Sequence, residues 1–428
     1  ERQPSCPRRG CHRRACSMES RSPTLALKAL YVAHSCCWLL SLRFVTPYFV
    51  SVGLSTLQIG ILHFMRPCMA FIGEMCWANL AETFLGFHRT VLSCNPFGVV
   101  LFVGLYTTRQ FGQMVFYYAG AMFFLSWLGL RDAQAVQVLE SCHQANQFGK
   151  VRKFTALGWG ASGVLIGLAG DYLGLDVLFV AFAAMQVVVL LIVCQVPQGI
   201  EPSHTQKTSP DGLGAEGAQQ TLRAALISST WLLFLSNLIV HGFCTTSIET
   251  YLFVYLMRDF ENTTSTLLGL TIFMMTIAEL PTFQVAERLF DFGFKRIFTF
   301  CHVALAVRCC FYVCLPAEHP SMVLLIEPLH GVTFALMWAA SVEFARRNAP
   351  SGGRARVQAL VSGIYFQVAQ GLGALAWAPL MDTFGFRHCY LLCGFVILTW
   401  SAIFNLLACF SQRAAAEDNA DHYSVAPL

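Results

Sequence analysis

The chain has 428 residues, of which 56% are hydrophobic and only 12% charged, with a formal net charge of +4. A soluble domain carries about 25% charged residues, and a chain this apolar could not cover a soluble surface. The composition excludes a soluble globular protein and predicts an all-α membrane protein, because a spanning segment must satisfy its own backbone hydrogen bonds.

Residues 1–25 read as a cytoplasmic tail. Met18 opens the run before the first apolar segment, and residues 1–17 read as upstream translation or an incomplete terminus. Their Cys6, Cys11 and Cys16 lack the paired spacing of a zinc site. Twelve spans follow, each near the roughly 20 residues needed to cross the hydrocarbon. They lie at about 26–50, 56–81, 90–108, 111–131, 146–171, 175–196, 229–257, 266–287, 295–315, 320–345, 355–381 and 387–410. The segment 197–228 is the one long polar interruption, and its Gly, Gln, Ser and Thr read as a cytoplasmic linker. It divides a six-helix half, 26–196, from a second, 229–410, before a cytoplasmic tail at 411–428.

Lys and Arg set the orientation. With both termini inside, the inner loops hold Arg89, Lys150, Arg152, Lys153, Lys207, Arg223, Arg288, Lys295, Arg296, Arg346, Arg347, Arg354 and Arg356, and the outer loops hold Arg109, Arg258 and Arg387. Asn262-Thr263-Thr264 is a glycosylation sequon in the predicted outer loop after span seven, so Asn262 is a glycosylation candidate.

One phrase recurs in the loops: "AETFLGFHR" (81–89), "GDYLGLD" (170–176), "LFDFGFKR" (289–296) and "MDTFGFRHCY" (381–390). Each has an acid, a short spacer and a glycine: Glu82 with Gly86, Asp171 with Gly174, Asp291 with Gly293, Asp382 with Gly385. Each closes the second helix of a three-helix unit. Three helices per unit reverse the orientation each time, which predicts the inverted-topology repeats of secondary transporters.

At these phrases the chain resembles the major facilitator superfamily, with its acid, glycine and basic cluster after helix two and an echo after helix eight. The resemblance implies that superfamily's fold, two six-helix halves of 3+3 inverted repeats. Glu82 stands where Asp is usual, and Leu85 looks inserted. The stretch "FGKVRKFTALGWGASG" (148–163) is similar to the fifth helix of the lactose permease and nucleoside–proton symporter branch. That similarity implies sugar contact by Arg152 and Trp159, two turns apart and able to share a face. "AELP", "IEPLHGVTFALMWAA" (326–340) and "VQALVSGIYFQVAQGLGALAWAPLMDTFG" resemble the eukaryotic orphan group called major facilitator superfamily domain-containing protein six.

Ionisable residues inside the bilayer cost about 2.5–3.5 kcal/mol each and usually have a partner or a task. Arg43 is in span one, Arg66 and Glu74 lie two turns apart in span two, and Asp132 ends span four. Arg43, Arg66, Arg152 and Asp132, with Trp159, are the candidate substrate contacts; snorkelling, or an Arg66–Glu74 pair, is the structural alternative. Glu249 reads as too near the outer end of span seven to need a partner. Glu327 and His330 form an i,i+3 pair in span ten, and a carboxylate beside an imidazole suits a proton relay. The permease resemblance implies coupling roles for Arg308 and His330 and a substrate-and-proton role for Glu279. It also places Thr333 where the permease carries its proton-binding glutamate. Glu279, Arg308, Glu327 and His330 are therefore the candidate coupling group.

No phosphate loop, HExxH or GxSxG occurs, so neither ATP-driven transport nor an enzyme is read, and no cofactor or metal site. The reading is a monomeric, multi-pass protein of the plasma membrane or an endomembrane. It moves a small polar solute, sugar- or nucleoside-like or anionic, by proton-coupled alternating access. Its partners are solute, proton and lipid bilayer, with no nucleic acid. The alternative is a non-transporting receptor or scaffold that retains the transporter fold.

Overall fold

The structure is a computed structural model, and it describes residues 22–144, 147–197, 228–349 and 354–418. The expected linker 198–223, the tail residues 1–17 and the end of the C-terminal tail lie outside the described residues.

The described residues are helical throughout, without a strand. Nine helical stretches among them are long and apolar enough to cross a membrane. In chain order the helices are α1 (Thr24–Ser51), α2 (Thr56–Leu80), α3 (Gly86–Gly104), α4 (Phe111–Ser141), α5 (Phe154–Leu173), α6 (Val177–Val193), α7 (Ser229–Asp259), α8 (Ser265–Leu289), α9 (Phe294–Val313), α10 (Pro320–Asn348), α11 (Arg354–Phe384) and α12 (Phe386–Asp418). Helices α2 and α3 belong to one stretch of 52 residues, Thr56–Thr107. It turns at Gly86, where φ is +70°. Helix α6 is apolar but shorter than the nine, and α5 is rich in glycine.

Several helices are not uniform. A π-helical turn, Leu40–Phe44, lies inside α1 and contains Arg43. Helix α10 passes from a 3₁₀ turn at Glu327–Leu329 into a π-helical turn at Gly331–Leu336. Such bulges occur where side chains are re-aimed at a site. Helix α12 runs on to Asp418, eight residues past the predicted end of span twelve.

The halves meet along two seams. Helix α5 packs on α8, and α2 packs on α11. Without a hydrophobic force between helices in lipid, close backbone approach must supply the contact energy. At the α5–α8 seam, a Cβ on Gly163 would lie 3.1 Å from the Gly269 carbonyl oxygen, and one on Gly269 would strike the Gly163 carbonyl. A side chain at Gly269 would part the helices, and one at Gly163 would need its neighbours to give by a few tenths of an ångström.

All four repeat-phrase glycines have positive φ: Gly86 +70°, Gly174 +85°, Gly293 +88° and Gly385 +79°. Gly174 and Gly385 end α5 and α11, their N–H groups donating to Gly170 and Met381 carbonyls. A left-handed residue after a helix is glycine's place, having no Cβ to clash. The acids of these two phrases reach into the other half. Asp171 Oδ1 and Oδ2 accept from the N–H groups of Ser265 and Thr266, at 2.6 and 2.9 Å. Asp382 Oδ2 accepts from Leu57 N–H at 3.1 Å. So the acid ending α5 caps α8, and the acid ending α11 caps α2.

Candidate functional site

The centre of the bundle holds a charged network. Arg43, re-aimed by its π-helical turn, donates from Nη2 to Glu249 Oε2 at 2.6 Å, joining α1 of one half to α7 of the other. Glu249 Oε1 also lies 3.5 Å from Arg308 Nη1 and 3.1 Å from His330 Nδ1. His330 Nε2 lies 2.9 Å from Glu279 Oε1. Arg308 donates to Glu327 at 2.9 Å, to Thr333 Oγ1 at 3.2 Å and to the Tyr312 hydroxyl at 3.1 Å. Tyr312 in turn donates to Glu327 Oε1 at 2.5 Å. Arg308 and Glu327 are wholly enclosed, whereas Arg43 and Glu249 are 13% and 19% exposed. The network therefore has a sealed core, Arg308–Glu327–Tyr312 with the buried His330, and a partly exposed rim, Arg43–Glu249–Glu279.

Glu249 is where the structure departs most from the sequence reading. It ends the segment Ser229–Glu249, but α7 resumes at Leu252 and reaches Asp259. Its carboxylate is thus ten residues inside the helix end, at the depth of Arg43 and Arg308. Far from needing no partner, it faces Arg43, Arg308 and the imidazole of His330.

Glu327 and His330 share one side of α10 as their spacing predicts, and both meet Arg308, Glu327 at 2.9 Å and His330 Nδ1 at 3.2 Å. The 3₁₀ turn aims Glu327 at Arg308 and Tyr312, and His330 faces Glu249 and Glu279.

The Arg66–Glu74 pair, the structural alternative to a substrate contact, is not formed among the described residues. Glu74 Oε1 accepts from Gly129 N–H at 3.1 Å, just after α4 is interrupted at Ser126 and Trp127. Arg66 Nε is buried without a hydrogen-bond partner among the described residues. Arg152 and Trp159 do not share one continuous helix, because the short helix Phe148–Arg152 ends at a turn through Lys153 before α5 begins. Arg152 is 61% exposed and lies 3.8 Å from Asp132. Trp159 is on the side of α5 opposite the exposed Leu157, Leu165 and Leu168, and it packs on the main apolar core.

A second polar group lies within the first half, and sequence reasoning missed all of it but Asp132. Arg131, 2% exposed, donates to Asp132 Oδ1 at 2.8 Å and contacts His34 Nδ1 at 3.1 Å. Its guanidinium stacks 4.0 Å over Tyr31, whose hydroxyl donates to Asp132 at 2.7 Å. Trp127 stacks on His34 and donates to Asn95, and Asn95 donates to Gln186. The available signal was the Arg131-Asp132 dipeptide at the end of an apolar run.

Asn262 is exposed in the α7–α8 loop. Its sequon hydroxyl, Thr264 Oγ1, accepts from Leu267 N–H and serves as the N-cap of α8. No group of three or more metal-ligating side chains occurs among the described residues.

The profile of the MFS_1-like family matches residues 25–392. A maltose permease of Geobacillus stearothermophilus is 24% identical over 384 residues, covering 85% of this chain and 89% of that protein. Among solved structures, a point mutant of the nucleoside transporter NupG is similar with a TM-score of 0.78 at 15% identity, covering 90% of this chain and 99% of that one. An auto-inhibited POT family peptide transporter is similar with a TM-score of 0.65 at 12% identity, covering 89% and 96%.

Proposed function

The chain belongs to the MFS_1-like family of the major facilitator superfamily, and on that premise we propose a proton-coupled secondary transporter for a small polar solute. Its family and structural relatives are transporters and not enzymes. The protein is an integral, multi-pass membrane protein. The proposed arrangement has twelve spans in two six-helix halves, with both termini and the linker in the cytosol.

The observation that carries the reading is the Arg43–Glu249 pair. A charged contact between the halves, on the rim of a sealed ion network, links solute binding to movement of one half against the other. The proposed solute is sugar- or nucleoside-like and carries an anionic or hydroxyl-rich group. Arg66, with its unsatisfied Nε, and Arg43 receive that group, and Trp159 offers the ring face on which a sugar or base stacks. Sugar and nucleoside transport by the similar proteins supports this class. Arg152, just before α5, and Asp132 of α4 form a polar entry rather than a deep contact.

Coupling is proposed to run through Glu279, His330, Arg308 and Glu327. A carboxylate beside a guanidinium stays ionised; one left alone in an apolar site takes a proton. Movement that parts Arg308 from Glu327, or Glu249 from His330, changes where the proton rests. One observation favours the alternative, a receptor or scaffold that no longer cycles: Glu327 is fully enclosed by Arg308 and Tyr312, as a permanent structural pair would be.

The test is uptake into proteoliposomes of labelled maltose, uridine and gluconate, with and without an inward proton gradient. Saturable uptake that rises with the gradient is expected for at least one solute class. Absence of uptake for all three, with intact folding, favours the receptor reading.

A further inference from the structure

We propose that Asp171 and Asp382 are the latch residues of one end of the transport pathway. Each closes that end by capping the first turn of a helix in the opposite half. The inference rests on the transporter fold and needs neither proton coupling nor any particular solute.

A helix leaves its first backbone N–H groups without intrahelical partners. At the start of α8, Thr264 Oγ1 satisfies the third of these, Leu267 N–H, from within the same helix. At the start of α2, Ser55 Oγ does the same for Gln58 N–H at 3.2 Å. Each helix thus supplies its own local cap and leaves the preceding donors open. The other half fills them: Asp171 takes Ser265 and Thr266 N–H, and Asp382 takes Leu57 N–H. Both acids bring negative charge to a helix N-terminus, where the macrodipole favours it. The two seams are equivalent under exchange of the halves, and the same phrase of the repeat supplies both acids.

Arg258 adds an asymmetry. It lies 3.6 Å from Asp382 and donates to Thr56 Oγ1 at 2.5 Å and to the Leu54 carbonyl at 2.7 Å. The α2–α11 latch therefore has a cation that also crosses between the halves, whereas the α5–α8 latch is made by Ser265 and Thr266, through backbone and side chain.

Glu82 and Asp291 hold the corresponding places at the other end, and both are exposed. Opening a pathway between α5 and α8, or between α2 and α11, requires these bonds to break.

Hydrogen–deuterium exchange on the full chain in nanodiscs tests this without a ligand and without labelling the native cysteines. Asp171→Ala should raise exchange about tenfold at 264–268, as loss of a charge-assisted bond implies. The diagnostic result lies at the other seam: Asp171→Ala should also raise exchange at 55–58, and Asp382→Ala at 264–268, because the halves part as rigid bodies. Loss of a merely local cap raises exchange only at its own helix start, and that outcome overturns the proposal. Asp171→Asn and Asp382→Asn keep an acceptor and lose the charge. They should give the same cross-seam effect at smaller size, and they carry the test if the alanine variants fold poorly.

Discussion

Glu249 serves two guanidinium groups and the imidazole of His330, whereas Arg43 serves one carboxylate. Removing Glu249 leaves Arg43, Arg308 and His330 crowded without their shared anion; removing Arg43 leaves Glu249 still held by Arg308 and His330. Uncompensated buried charge is the larger penalty. Glu249→Gln should therefore lower the thermal midpoint in detergent more than Arg43→Gln does, and the reverse order would remove Glu249 from the centre of the network. Glu327→Gln should abolish net uptake driven by a pH gradient yet spare solute exchange, since exchange releases no net proton. Wild-type driven uptake in this variant would place coupling elsewhere. Trp159→Ala should weaken solute binding more than it changes surface expression. Among these residues, Arg308, Glu327 and His330 were legible because charge stands out in an apolar run. Glu249 was misjudged although span seven was read to 257, because the side chains that meet it come from α1, α9 and α10, and no local pattern names them. His34, Asn95 and Gln186 were invisible because nothing local distinguishes a polar residue that meets a partner ninety residues away from one that faces solvent.

At the scale of the helix, the repeat phrase was legible and its bonds were not. Acid, spacer and glycine predicted a turn, and positive φ at all four glycines is that turn. Which helix start each acid would cap depends on how the halves dock, which no local pattern encodes. The π-helical turns in α1 and α10 were likewise unreadable, because the extra residue is accommodated by packing and leaves no local signature. Two predictions belong here. Gly385→Ala adds a Cβ at φ +79° and should cost about 1 kcal/mol, read as a fall of a few degrees in thermal midpoint. Gly269→Val should act differently: its side chain would strike the Gly163 carbonyl, so the α5–α8 seam should part and amide exchange rise along 160–170. An unchanged exchange pattern there would mean that the seam is looser than the structure shows.

For the whole molecule, the all-helical membrane architecture followed from composition and from the length of the apolar runs, which is the strongest constraint lipid imposes. Orientation is a separate expectation. A protease site inserted in the 198–223 linker should be cut only after the membrane is permeabilised, and cutting from outside intact cells would invert the topology. The seams between the halves have a further consequence for how the molecule responds to heat. At α5–α8 the facing residues include Gly163, Gly167, Gly269 and Ser265 beside Ile272, and at α2–α11 they include Gly60, Ala374 and Ala378 beside Phe64 and Pro67. Parting such surfaces wets more backbone and small side chains, and less hydrocarbon, than parting a leucine-lined seam would. Heat-capacity change follows the apolar area exposed, so opening should have a small one. The balance between open and closed forms should then follow a nearly straight van't Hoff line, where a leucine-lined seam would give a curved one.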